Sequence, residues 1–470
     1  MNDDFEAFRT EGHRLIDWIA RYLANPEPFP VLSRVRPGEL RVALPARPPA
    51  RPEPLAESLA DFERLILPAV THWNHPGFFA YFANSSTPPA VLGELLAAAL
   101  NVNGMLWKTG PAATELEAVV LDWLRHATGL PPGLFGVIQD TASSATLVAL
   151  AAAREAVPGL DVRRKGMVGQ ARLRMYASEH AHSSVEKAGI VLGIGQEGLR
   201  KIPVDSLFRM DVAALRRAVA EDRAAGLTPF AVTATVGTTS TTSIDPVPAI
   251  AEVAAASGLW LHVDAAYAGC AAVAPELRHV LDGCDRADSL VMNPHKWLFA
   301  PRGTGLIWAK AENWARLTPI IPTFSSPEPY DAWVRDEPPK GPTKADWITP
   351  GGFYAYEHQW AMPAAFHFHQ QIGRKRIAER IDELNAFIKQ GLAEIPDITV
   401  YTPNDPKLSA GIVSFRVKGK KNEGVLKHLL GQNILASISP YGIAYLRLAA
   451  GIMNTPAEVE SALKALRSLK

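Results

Sequence analysis

The sequence predicts an α/β protein with a mostly parallel sheet covered by helices on both faces, followed by a small α+β domain. Three observations predict it. From about residue 135, short apolar runs (LFGVIQD, ARLRMYAS, PFAVTATVG, LWLHVDAAY, SLVMNPHK) alternate with helical stretches such as SSATLVALAAAREAV and PVPAIAEVAAASG. Strands separated by helices imply parallel pairing with both sheet faces covered. After a long helical stretch, the order becomes strand, helix, strand, strand, helix. The chain has 470 residues, 47% hydrophobic and 20% charged, which is ordinary for a globular protein of two or three domains.

Taken in order, Phe5–Ala24 carries Phe8, Leu15, Ile16, Ile19 and Leu23 at helical spacing and reads as an amphipathic helix. The Pro/Arg-rich run from Pro26 to Pro54 reads as irregular, because proline fixes φ and removes a donor. It is expected to lie extended across another surface. Leu55–Leu67, Ala90–Leu100 and Pro111–Thr128 read as helices. The alternating α/β region follows. Leu317–Trp347, rich in Pro, Ser and Lys, reads as loop, and Phe353–Glu394 as one long helical stretch. GIVSFRVKG, ILASISP and AYLRLAAG are strand-like, with helices at Asn422–Leu430 and Thr455–Leu469.

Composition excludes several classes. Forty-eight basic residues balance forty-eight acidic ones, so no electrostatic footprint for nucleic acid or an anionic membrane exists. The N-terminus lacks the basic-then-apolar pattern of a signal peptide. Ala90–Val102 is too short to span a bilayer. Two cysteines, Cys270 and Cys284, rule out a disulfide framework and fit a reducing, cytoplasmic setting.

Five segments carry chemistry. Lys296, in Asn293-Pro294-His295-Lys296-Trp297, follows a buried strand. Desolvation there lowers an amine's pKa and makes it a nucleophile; taken alone, a lysine snorkelling from a strand end is the plainer reading. Asp264 ends another apolar strand, in His262-Val263-Asp264-Ala265-Ala266-Tyr267. One strand–helix–strand unit separates the two, so both reach the carboxyl edge of one sheet, where ligands bind. A carboxylate and an aldehyde-binding lysine at that edge suit pyridoxal 5'-phosphate, whose ring nitrogen the Asp keeps protonated. Ile138–Ala145 (IQDTASSA) joins a strand to a helix, where free N–H groups, with Ser143 and Ser144, can cradle a phosphate; simple N-capping reads equally well. His182, in a strand-to-helix turn, can stack on a ring or merely cap a helix. The hydroxyls of Thr235–Ser240, ending at Asp245, can reach a cofactor or merely make a turn.

These segments resemble the group II pyridoxal-phosphate-dependent amino acid decarboxylases, the family of aromatic L-amino acid decarboxylase. The resemblance runs from about residue 5 to 297, through HPGFFAYFANSS, MLWKTGPAATELE, GVIQDTASSATLVALAAARE, HSSVEKAGI, HVDAAYAG and NPHKW. It implies pyridoxal-phosphate fold type I and a homodimer with sites at the subunit interface. It implies Lys296 as the Schiff-base lysine, with His295 beside it, Asp264 as partner of the ring nitrogen and His182 as the stacking residue. Ala142, Ser143 and Asn293 would lie at the phosphate, Thr239 and Ala266 against the ring. Tyr81, Phe82 and Trp107 match positions near an aromatic-substrate pocket. The division implied is a swapped N-terminal layer (residues 1–85), a large cofactor-binding domain (86–312) and a small C-terminal domain (313–470).

After Lys296 the pattern changes. The family's loop tyrosine, a proton donor, has no clear counterpart, since the surroundings of Tyr330 (PEPYDAWV) do not match. HKWLFAPRGTGLIW, ADWITPGGFYAYE and Ser414–Asn454 resemble class V aminotransferases, near isopenicillin-epimerase-like proteins. That second resemblance implies Arg447 as a binder of the substrate carboxylate; a salt bridge on an edge strand is the equal alternative. Decarboxylation of an aromatic or bulky L-amino acid is therefore expected. A class-V-like aminotransferase, epimerase or lyase is the second reading, and a cofactor-binding protein with little turnover the third. Gly193–Gly198 matches GxGxxG, but a strand-like run follows it where a nucleotide motif needs a helix. His72, His75 and His180–His182 lack a third partner at metal-ligand spacing, so no metal is expected.

Overall fold

A computed structural model describes residues 2–47, 53–82, 86–102, 110–300, 303–310, 357–409, 411–440 and 442–469, with a few isolated positions between 313 and 337. Seven strands form the first sheet: β1 Leu134–Gln139, β2 Leu173–Ser178, β3 Leu199–Ile202, β4 Thr228–Thr235, β5 Trp260–Asp264, β6 Ser289–Met292 and β7 Gly305–Lys310. Their spatial order is β1-β7-β6-β5-β4-β2-β3. Only β7 runs antiparallel to its neighbours; the other pairs are parallel. Helices pack on both faces. Ala142–Glu155 lies on one, its Ala145, Val148, Ala149 and Ala152 against Val137, Val291 and Ile307. Pro111–Thr128, Val212–Ala224 and Val247–Ser257 cover the other with Leu121, Leu124, Leu215 and Ile250. The apolar runs are thus buried on both faces, as the sequence predicts for a doubly covered sheet.

The second sheet is antiparallel, with β8 Ile398–Val400, β9 Val413–Val417, β10 Ser437–Ile438 and β11 Leu446–Leu448 in the order β10-β11-β9-β8. Its inner face packs on helices Arg374–Ala393 and Pro456–Arg467 through Leu384, Ile388, Phe415, Leu446 and Leu463. Backbone bonds from Phe79 N to Leu435 O (2.8 Å) and from Ala449 N to Phe79 O (2.9 Å) add the segment 77–81 to this second unit.

Several elements differ from the sequence reading. Glu39–Ala43 is a short helix inside the Pro-rich run, formed where the proline-free stretch Glu39–Leu44 follows Gly38. Near its start the run packs against the C-terminal unit, where Val31 is buried beside Phe78, Leu430 and Leu435. The long stretch 353–394 holds two helices, Glu357–Ile372 and Arg374–Ala393. Gly373, at φ +95°, breaks them, a conformation glycine alone adopts freely. Met362, Ala365 and Phe366 of the first helix pack into the core of the seven-stranded sheet. β8 escaped the reading because three residues give no period. The decoy Gly193–Gly198 ends in a single 3-10 turn, Gln196–Gly198, that leads straight into β3, where a nucleotide motif would open an α-helix. No helix among the described residues is long and apolar enough to cross a membrane.

Candidate active site

The parallel strands deliver their carboxyl ends to one edge of the sheet, and a cleft of about 350 Å³ opens there. Lys296 follows β6 in the short helical turn Pro294–Trp297. Its Nζ sits 5.0 Å from the Phe82 ring centroid and 5.8 Å from that of Tyr267. Burial pushes this amine down to about 8, against the opposing pull of Asp264 and Cys270. Desolvation disfavours the charged form more than one carboxylate restores it. Asp264 ends β5, is buried, and accepts a hydrogen bond from Ala266 N at 3.1 Å.

His182 caps the helix Ser183–Val191, and its Nδ1 accepts from Ser184 N at 3.2 Å. Burial pushes its imidazole below the usual range, partly offset by Asp264. Acceptance at Nδ1 leaves the proton of the neutral ring on Nε2. Thr141 caps the helix Ala142–Glu155 through a capping box with Ser144. Ala142 N donates to Asn293 Oδ1 at 3.0 Å, so the residue preceding the lysine turn is tied to the helix N-terminus. Ala142, Ser143, Asn293, His295, Thr239 and Ala266 all line the cleft.

The remaining walls come from elsewhere. Tyr81 and Phe82 line the cleft; Tyr81 is held at φ +59° and stacks on Trp73 at 5.6 Å. Arg447 lines it from the second sheet, 4% exposed. Its Nη1 donates to Thr239 O at 2.8 Å and its Nη2 to Ile438 O at 3.2 Å. Trp107 and Tyr330 lie outside the described residues. The sequence reading did not single out Tyr267, Ile412, Ile438 or Pro440 as site residues, though all line the cleft, as does Thr235 from the hydroxyl-rich segment noted above. Tyr267 stands three residues past Asp264 in the motif already noted, which was signal enough. Ile412, Ile438 and Pro440 arrive by docking of the second sheet and have no local pattern.

These residues fit pyridoxal phosphate. Lys296 is an amine poised near neutrality, Asp264 supplies the buried negative charge, and a helix N-terminus faces the same space. Thr235 Oγ1, in the cleft wall, is buried without a hydrogen-bond partner, leaving a donor for a polar guest. Among the described residues no group of three or more His, Cys, Asp or Glu side chains could hold a metal.

Gly305 begins β7 where it crosses the turn Thr141–Ala142, and a side chain there would run into that backbone. Gly305→Ala is expected to destabilise the protein by about 1–3 kcal/mol through overpacking and to loosen cofactor retention. Thermal melting with and without pyridoxal phosphate checks both effects.

The comparisons with known proteins agree with this geometry. Residues 37–320 match the pyridoxal-dependent decarboxylase conserved domain. Tyrosine decarboxylase 2 of Arabidopsis thaliana is 44% identical over 319 residues, 65% of this chain and 58% of that protein. The chain spans 58–64% of the length of four plant relatives that it matches. Aromatic-L-amino-acid decarboxylase of Sus scrofa is 37% identical over 443 residues, 90% of this chain and 87% of that protein. That match continues well past Trp297, across the stretch where the class V resemblance was placed. The crystal structure of Catharanthus roseus tryptophan decarboxylase in complex with L-tryptophan superposes with a TM-score of 0.84 at 32% identity, covering 98% of each chain. With the lysine, the aspartate and the helix N-terminus meeting in one cleft, the chain belongs to the pyridoxal-dependent decarboxylase family.

Proposed function

We propose that this protein decarboxylates an aromatic L-amino acid to the corresponding amine and carbon dioxide. The observation that carries the reading is the meeting of Lys296, Asp264 and His182 in a cleft walled by Tyr81 and Phe82. Relatives named as tyrosine, tryptophan and aromatic-L-amino-acid decarboxylases support it. Pyridoxal phosphate, when bound, supplies an aldehyde for the amine and a pyridine ring that accepts electrons. Lys296 would hold the aldehyde end, and Asp264 the proton on the ring nitrogen. His182 would cover one ring face, while Ala142, Ser143 and Asn293 would receive the phosphate at the helix N-terminus. Ile412, Ile438 and Pro440 give the substrate side apolar walls. A carboxylate placed there is weakly solvated, which favours its loss over its retention.

A class-V-like reaction would need Arg447 to grip the substrate carboxylate. Its two terminal nitrogens each donate to a main-chain carbonyl, which supports a role in holding the backbone of the cleft and so favours decarboxylation. We further read residues 1–85, 86–312 and 313–470 as N-terminal layer, large domain and small domain. The setting we read is cytoplasmic, and the assembly a homodimer with sites at the interface. Sedimentation of the holoprotein tests the dimer. Product analysis on a panel of L-amino acids tests the reaction, with aryl amine expected and keto acid against it.

The amine of Lys296 also predicts a pH dependence. With its pKa at about 8, about one-tenth is neutral at pH 7 and half at pH 8. Loading of the apoprotein with pyridoxal phosphate, followed by absorbance, is expected to quicken about fivefold between those values and to level off above about pH 9.

A further inference from the structure

The second sheet presents apolar residues to its own helices and a polar row to the opposite side, where Arg447 lines the cleft. On β9, Val413 and Phe415 face the helices, and on β11, Leu446 and Leu448 do. The alternation of a strand then turns Ser414 and Arg447 to the opposite face. Register pairs Ser414 with Arg447, and Arg447 with Ser437. The three therefore form one row across β9, β11 and β10, all at or below 4% exposure.

Each member holds a piece of the cleft's main chain. Ser414 Oγ donates to Ser240 O, and Arg447 Nη1 donates to the neighbouring Thr239 O at 2.8 Å. Ser437 Oγ accepts from Tyr81 N at 2.9 Å. The first two grip the tip of a loop that is otherwise closed on itself. Thr238 and Thr241 hydroxyls meet at 3.1 Å, Thr241 and Ser243 at 2.8 Å, and Thr238 N donates to Ser243 O. Thr242 in that loop sits at φ +62°, where a β-branched residue is strained. Tyr81 is likewise left-handed at φ +59°. Both conformations require surroundings that over-determine them.

We propose that Ser414, Arg447 and Ser437 are positioning residues: the first two fix the Thr239 loop on the cofactor side of the cleft, the third fixes the aromatic turn at Tyr81 on the substrate side. Arg447 acts through main-chain carbonyls and leaves the substrate carboxylate ungripped. The assignment rests on reading the cleft as the cofactor site, which uptake of pyridoxal phosphate by the wild-type protein tests separately.

The experiment compares Arg447→Met, Ser414→Ala and Ser437→Ala with wild type. It measures the Kd of pyridoxal phosphate by absorbance, the KM of an aromatic L-amino acid, and inhibition by the matching amine, which has no carboxylate. A hydrogen bond from a charged donor is worth more than a neutral one. The cofactor Kd is therefore expected to rise about tenfold or more in Arg447→Met and about fivefold in Ser414→Ala. Ser437→Ala should raise KM and the amine inhibition constant together by about threefold to tenfold and leave the cofactor Kd unchanged. Two results overturn the proposal. One is a raised KM in Arg447→Met with unchanged cofactor Kd and unchanged amine inhibition, the signature of a carboxylate grip. The other is a wild-type cofactor Kd in Ser414→Ala, which decides the matter even if the arginine variant does not fold.

Discussion

Lys296→Met is expected to lower turnover by on the order of 10⁴-fold or more, because a thioether cannot act as the amine nucleophile. The same change should stabilise the apoprotein. In the folded chain the amine sits at about 8, against an ordinary value of 10.5. Between those two values the unfolded chain binds more protons than the folded one, so wild-type stability rises as pH rises from about 8 to 10.5. The penalty is therefore fully present below about pH 8. Lys296→Met removes it and places an apolar chain between Phe82 and Tyr267. Melting curves of the two apoproteins should differ most at pH 7 and converge toward pH 10.5. A methionine variant less stable at pH 7 would show that the ammonium is satisfied in the cleft.

Asp264→Asn is expected to cost about 10³-fold in turnover with little change in fold, since the amide keeps the shape of the buried side chain. A neutral amide cannot hold a proton on the cofactor's ring nitrogen, so the ring loses its pull on electrons. The change also removes the charge that raises the pKa of Lys296. The pH midpoint for cofactor loading should therefore fall below about 8. A cofactor analogue methylated at the ring nitrogen, and so permanently cationic, should restore part of the lost rate. An unmoved midpoint would contradict the coupling of Asp264 to Lys296.

What the sequence made legible follows from topology. Lys296, Asp264, His182, Thr239 and Ala142 all follow the carboxyl ends of strands running in one direction, β6, β5, β2, β4 and β1. Once the strands are read as parallel, their ends must converge on one edge, and the chemistry-bearing residues converge with them. Strands β9, β10 and β11 of the second sheet were legible, but β8 and the direction of the sheet's face were not. Ile412, Ile438 and Pro440 reach the cleft only because two sheets dock, and docking leaves no period in a chain. Arg447 shows the difference most plainly. Its type and position suggested a ligand for a carboxylate. Its bonds to Thr239 O and Ile438 O depend on where the neighbouring backbone runs. Tyr81 lines the cleft, but the hydrogen bond from its N–H to Ser437 Oγ joins residues 356 apart in the chain and leaves no local pattern. The crossing of Gly305 over the Thr141–Ala142 turn was equally invisible, since β7 joins the edge from the opposite direction.

Mass spectrometry of the products, after the protein loaded with pyridoxal phosphate meets a panel of L-amino acids that includes the aromatic ones, tests the central claim most directly. The account predicts an aryl amine and carbon dioxide in equal amounts, with the aromatic members consumed fastest. Keto acid, or D-isomer on a chiral column, as the main product would contradict it and would place the chemistry at the Cα–H bond.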